Sequence, residues 1–370
     1  MSEQATPRET ASDRPGVAQP VPVRDIPEQP WGRVLMFAFA LFLALMLAWE
    51  WHWRAFGSEG GSYRNSDSLW ARERRRIDEG EGDATVLVGS SRLFFDVRLA
   101  TWERLSGRRP IQLSFEGTSA IPMLEDLAND PAFTGKALVG VTPGLFFSGR
   151  ARRGTAIKYY HEESPSQRVG QWLSMQIEPW LGFYEPDYAL ATVVERQDWP
   201  ARGGQPVRLK VRRLSVSGPD RDTHLWRKVV DDPEYQALCR SIWMQNLGAT
   251  DGPTPAQRDK LRDEQIARAV AAVAKLRARG VEVVFVREPS DGPYLENEDR
   301  NFPRATSWDA LLAQTGAPGI HFQDYPDMQG LTLPEWSHLS VPDSERYTEA
   351  LFRAYQALPG HPPATGAPTP

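Results

Sequence analysis

The sequence predicts an α/β fold: a parallel sheet with helices on both faces, in a three-layer α/β/α arrangement, preceded by one transmembrane helix. Three observations carry this. An uncharged apolar run fills residues 34–49. Short apolar runs bounded by turn residues follow at 85–88, 111–115, 137–141 and 281–286, each the size of a strand buried on both faces. Helical stretches lie among them at 118–129 and, most clearly, at 255–279. In the latter, Ile266, Val270, Val273 and Leu276 recur at three- and four-residue spacing and Gly280 supplies a stop. Such strand–helix–strand alternation gives a parallel sheet covered by helices.

The first element is the anchor. Residues 34–49 hold no charge, Gly or Pro, with Trp31 before them and Trp51 and Trp53 after Glu50. A helix over 31–53 is roughly 34 Å long, enough for a hydrocarbon core of about 30 Å. Tryptophan at both ends suits the membrane–water interface. A core helix would show a polar face, and this run has none. A cleaved signal peptide would not start behind 33 mostly polar residues or lack a small-residue cleavage site. Arg24 and Arg33 before the span balance Arg54 and Arg64 after it, so charge leaves the orientation open.

Proline-rich residues 1–30 read as a disordered tail, as do residues 361–370. Residues 54–82 form a stem, with a flexible Gly57–Gly61 link and an Arg-rich helical segment at 69–77 read as a solvated face. The α/β domain covers 83–360 and is interrupted at 147–254 by a mainly helical insertion. Its aromatic residues (Tyr159, Tyr160, Trp172, Trp180, Tyr184, Trp226 and Trp243 among them) are either core or a cap that stacks on sugars.

Composition limits the chemistry. The chain has 370 residues, 43 Lys+Arg against 48 Asp+Glu and a net charge of −5. That balance gives no nucleic-acid footprint. A single cysteine, Cys239, excludes an intrachain disulfide framework and any multi-cysteine metal site. No histidine pair or carboxylate cluster has metal-ligand spacing, and no cofactor is expected.

The informative local pattern is a strand, then Gly89-Ser90-Ser91-Arg92, then a helix. A serine there sits in the crevice at the carboxyl end of an open α/β sheet. Near the C-terminus stands Glu335-Trp336-Ser337-His338, just before the last helix. An acid three residues before a histidine can hold one imidazole nitrogen while the other faces a serine. His321 falls on a probable strand and reads as structural. Arg92, Arg287 and Arg304 are placed near the crevice as weak substrate-binding candidates.

With these blocks in view, the chain resembles a membrane-anchored member of the SGNH (GDSL-like) hydrolase superfamily, over about residues 60–357. Within it the chain resembles bacterial cell-envelope acyl-transfer proteins of the DltD and alginate O-acetylation type. The resemblance implies a flavodoxin-like SGNH sheet. It makes Ser91 the nucleophile and Glu335 and His338 the acid and base. Ser91 and Gly117, the latter in Leu113-Ser114-Phe115-Glu116-Gly117, become oxyanion-hole donors. The family's Gly-x-Asn-Asp block is replaced by Gly140-Val141-Thr142-Pro143, so either Thr142 stands in for the asparagine or the hole has two backbone donors only. Glutamate also replaces the usual aspartate.

The function so implied is O-acyltransfer or ester hydrolysis on a cell-envelope or exported polysaccharide. The domain would lie outside a bacterial cytoplasmic membrane, in the periplasm, with a multi-pass membrane-bound O-acyltransferase as acyl donor. A catalytically silent SGNH-fold scaffold or glycan-binding subunit is the alternative.

Overall fold

The structure, a computed structural model, describes residues 28–197, 213–247 and 252–359. The tail expected at 361–370, and that at 1–30 apart from its last three residues, lie outside the described residues. The chain divides into two units, 1–49 and 50–370.

The first unit contains most of one helix, Trp31–Phe56, of 26 residues. Its most apolar stretch has a mean hydropathy of 2.1 and no buried residue, so it is long and apolar enough to cross a membrane. The last turns of this helix belong to the second unit. There Trp53, assigned from sequence to the interfacial pair, is buried and stacked on Tyr188 with ring centroids 4.3 Å apart.

The second unit is an α/β body, mostly helical, around a five-stranded parallel sheet. The strands are β1 (Thr85–Val88), β2 (Ile111–Gln112), β3 (Lys136–Gly140), β6 (Glu282–Arg287) and β7 (Gly319–His321). A separate antiparallel hairpin supplies β4 (Ser215–Ser217) and β5 (Thr223–Leu225). The sheet order is β2-β1-β3-β6-β7, every neighbour parallel. β2 is shorter than the apolar run at 111–115. Its backbone bonding nevertheless continues, with Leu113 N to Leu87 O at 2.8 Å and Phe115 N to Gly89 O at 3.1 Å.

Strand side chains alternate between faces, and two apolar clusters divide accordingly. Val86, Val88, Ala137, Val139, Val283 and Phe285 join one cluster, which includes Ile266, Val273 and Leu276 of helix Pro255–Arg277. Leu87, Leu138, Val284, Val286 and Ile320 join the other, with Tyr347, Leu351 and Tyr355 of helix Val341–Gln356. Thr254 starts the first of these helices through a capping box with Gln257. Gly280 follows its end with φ 80°.

Two local expectations change. The Arg-rich stem segment forms helix Asp67–Arg75, and it is not a solvated face: Leu69, Trp70, Glu73 and Arg74 are buried. Trp70 donates its indole N–H to Leu113 O at 2.9 Å, and Arg74 is clamped by Asp126 at 2.8 Å and Asp130 at 2.6 Å. Paired in this way, a guanidinium tolerates burial. The insertion is helical over much of its described length, but it also holds the β4–β5 hairpin and a small core of its own around Trp226, Val229, Tyr235 and Cys239. From that hairpin Arg221 reaches the edge of the main sheet and donates to Gln112 O and Ser114 O, both at 2.7 Å. It thereby satisfies carbonyls that an edge strand leaves unpaired.

Candidate active site

β1 and β3 are neighbours, yet the chain continues from β1 to β2 on one side and from β3 to β6 on the other. Their carboxyl ends therefore diverge into a crevice, the usual ligand position of open α/β sheets. Gly89 leaves β1 where a Cβ would come within 2.7 Å of Leu93 Cβ, so only glycine fits the turn. Gly140, at the end of β3, is equally confined: a Cβ there would meet Glu288 Oε1 at 2.1 Å. Ser90 caps helix Ser91–Asp96 in an extended conformation, and Ser91 opens that helix.

The Glu335–His338 turn meets this serine. His338 Nε2 lies 2.8 Å from Ser91 Oγ, and His338 Nδ1 lies 2.9 Å from Glu335 Oε1. The same carboxylate oxygen accepts the backbone N–H of His338 at 2.7 Å and of Ser337 at 3.3 Å. Three-residue spacing thus lets the acid fold its own turn and hold the ring. With Nδ1–H donated to the carboxylate, Nε2 is free to accept the Ser91 hydroxyl proton.

Glu335 and His338 are both buried. Burial alone would raise the Glu335 carboxyl. The adjoining His338, together with hydrogen bonds from His338 and Trp243, holds it below its ordinary value. The Phe95 ring packs on His338 at 4.6 Å between centroids. Leu339 N donates to Asp96 Oδ1 at 2.9 Å, tying the turn to the far end of the serine helix. Trp336 adopts φ 72°, uncommon for a bulky residue. The Arg240 guanidinium lies over its ring at 5.2 Å, and Arg240 Nε donates to Pro334 O at 2.8 Å.

The other predicted residues separate. Thr142 is buried and its hydroxyl bonds that of Ser90, so it sits beside the serine turn with its hydroxyl engaged. Gly117 is exposed just beyond the β2 ladder, with φ 63°. Arg92 and Arg287 are buried and converge on Glu298, at 2.8 Å and 2.6 Å. Burial would raise the Glu298 carboxyl, but the two guanidinium groups and the Ser290 hydroxyl hold it below its ordinary value. Arg92 also reaches Ser337 Oγ at 3.2 Å, so this pair supports the histidine turn from behind. Arg304 is elsewhere, exposed and paired with Asp324 through two 2.7 Å contacts. His321 is buried against Trp308, and burial with the nearby Arg287 and Arg304 charges pushes it down to about 3, so it stays neutral.

Sequence reasoning missed two participants, Trp243 and Glu298. Trp243, on helix Pro233–Leu247 of the insertion, donates its indole N–H to the second oxygen of Glu335. Glu298 gathers the two arginines. The Trp243–Glu335 and Arg92–Glu298 contacts span 92 and 206 positions, so no spacing signals them. Glu288 and Asp96 are two further fully buried acids, and burial pushes Glu288 up to about 7 and Asp96 well above its ordinary range. Among the described residues no group of three or more His, Cys, Asp or Glu is arranged to hold a metal ion.

No family model, no curated protein and no solved structure matches the chain. The Ser91–His338–Glu335 contacts are therefore the firmest functional clue in the molecule.

Proposed function

We propose that the chain is a membrane-anchored, SGNH-type serine O-acyltransferase or esterase that acts outside a bacterial cytoplasmic membrane on an exported or cell-envelope polysaccharide. The observation that carries this reading is the continuous hydrogen-bonded path from Ser91 Oγ through His338 to Glu335. The strand order β2-β1-β3-β6-β7 is that of a flavodoxin-like sheet, which supports the three-layer reading.

In this mechanism Ser91 Oγ attacks the carbonyl carbon of an acyl donor while His338 Nε2 takes its proton. Glu335 stabilises the imidazolium so formed. In this reading the backbone N–H groups of Ser91 and Gly117 are the donors to the developing oxyanion, as the resemblance implies, while the Thr142 hydroxyl is held by Ser90. As the tetrahedral intermediate collapses, His338 returns the proton to the leaving oxygen and an ester remains on Ser91. A sugar hydroxyl or water, deprotonated by His338, then attacks that ester and frees the serine. A multi-pass O-acyltransferase would supply the acyl group. A polar cleft of about 690 Å³, lined by Asn65, Glu116, Arg153 and Tyr159 among others, adjoins the Gly117 loop and suits a hydroxyl-rich acceptor.

One observation favours the silent-scaffold alternative: the Thr142 hydroxyl is already bonded to Ser90, which leaves the oxyanion fewer donors. Incubation of the full chain with p-nitrophenyl acetate, followed by intact-mass measurement, separates the two. An acetyl adduct on Ser91 is the enzyme outcome. Its absence in a folded protein that still supports polymer modification in cells is the scaffold outcome. A reporter fused after Pro370 should be active only outside the cytoplasm, and cytoplasmic activity would remove the envelope reading.

A further inference from the structure

Helix Pro165–Ile177 is amphipathic in the inverse sense. Its inward positions are polar: Gln171 is buried against Ser66 and Ser68, and Ser174 Oγ donates to Glu178 Oε1 at 2.6 Å. Glu178, just past the helix, is buried and accepts Arg64 N at 2.8 Å. The opposite face, at i, i+3, i+4 and i+8 spacing, is apolar and turned to the outside. Val169 is 56% exposed, Trp172 61%, Leu173 51% and Ile177 44%, and Trp180 continues the stripe at 73%. In water this arrangement is unfavourable, since a surface helix normally puts its apolar stripe inward.

The stripe has a fixed tether. Glu50 follows directly on the apolar run 34–49, and its carboxylate accepts Gly182 N at 2.9 Å and Phe183 N at 3.1 Å. One helical turn later Arg54 donates to Trp180 O at 2.9 Å and pairs with Glu50. Because Glu50 directly follows residue 49, these bonds hold residues 180–183 within one side chain's reach of the point where the apolar run ends. Trp51, on that same turn, is 73% exposed.

We propose that Val169, Trp172, Leu173, Ile177 and Trp180, with Trp51, form a second membrane contact that lies in the headgroup–acyl boundary of the bilayer crossed by the N-terminal helix. Aliphatic side chains interleaved with tryptophan are the composition that boundary selects. The occupant is lipid, because the Trp180 end of the stripe is tied to the helical turn that directly follows the apolar run. The proposal rests on the N-terminal helix crossing the membrane and is independent of the Ser91 chemistry.

The test uses the full chain in vesicles of phosphatidylethanolamine and phosphatidylglycerol, with single cysteines introduced for nitroxide labelling. Cys239 can remain, because it is buried and burial pushes its thiol up to about 12. Labels at Leu173→Cys and Ile177→Cys report the stripe, Phe39→Cys reports the span and Glu345→Cys reports an exposed polar site. The expected result is loss of line broadening by an aqueous nickel chelate, with strong broadening by oxygen, at 39, 173 and 177 but not at 345. Nickel broadening at 173 and 177 equal to that at 345, with 39 still in lipid, overturns the second contact alone. Nickel broadening at 39 overturns the anchor and the proposal with it. Spin–spin broadening at 173 would show a second copy on this face and would also overturn it.

Discussion

The His338 Nε2 atom stands 2.8 Å from Ser91 Oγ although 247 positions separate the two residues in the chain. The neighbouring hydroxyl, on Ser90, turns instead to Thr142. One serine of the pair is therefore matched to a base and the other to the strand next door.

Glu335→Gln should leave the fold intact and lower turnover by orders of magnitude, because the charge that stabilises the imidazolium is lost. Turnover within twofold of the parent, about 0.4 kcal/mol in barrier, would mean that another group orients His338. Glu335→Asp keeps the charge and shortens the reach, and should retain part of the activity.

Trp243→Phe keeps most of the ring volume but removes the one side chain besides His338 that, among the described residues, donates to Glu335. Hydrogen bonds to charged groups contribute about 1.5–3 kcal/mol, so kcat should fall roughly tenfold or more with little change in KM. Without the indole donor the Glu335 carboxyl rises, and the acid limb of the kcat profile moves to higher pH. An unshifted limb would reduce Trp243 to a packing residue.

Arg92→Met breaks a buried pair, leaving Glu298 with one guanidinium, that of Arg287, and should cost on the order of 3 kcal/mol of stability. Arg304→Ala removes an exposed ion pair and should cost less than about 1 kcal/mol. Denaturant unfolding of the two variants gives the comparison. Equal losses would contradict the burial argument.

Glu288 is held neutral up to about 7 by burial, against 4.5 for the ordinary carboxyl, with Arg287 and Arg92 only partly offsetting this. The folded state therefore keeps a proton that the unfolded chain has already lost. Stability from this group falls as pH rises from about 4.5 to 7 and is flat above, by at most about 3 kcal/mol. Glu288→Gln, which cannot ionise, should make the melting temperature less dependent on pH across that window. Asp96 shifts in the same direction, so some slope should remain. A slope identical to the parent's would show that Glu288 ionises normally.

The sheet was legible because its signal is local. Thr85–Val88 is one apolar run between turns and emerges as β1 with those bounds, while β3 and β6 differ from their apolar runs by one residue at each end. The serine turn and the Glu–His turn were legible for the same reason, since each is a block of four residues. What joins distant segments was not. Arg74 looks like a solvent residue until Asp126 and Asp130 are brought to it, and Arg92 looks like a substrate ligand until Glu298 is, from 206 positions away. Trp243 lies 92 positions from Glu335, inside an insertion whose aromatic residues read as core, or else as a cap. Of these aromatics Trp226 is core, Trp172 and Trp180 are exposed and Trp243 serves the acid. The three-residue strands of the hairpin are too short to show an alternation.

Labelling with a fluorophosphonate probe tests the central claim most directly, because the probe reports only a serine activated by a base. The parent protein and Ser90→Ala should label, and Ser91→Ala should not, with melting temperatures close to the parent's in both variants since neither loses a large apolar side chain. Labelling that survives Ser91→Ala and disappears in Ser90→Ala, or a folded parent that does not label at all, would contradict the account.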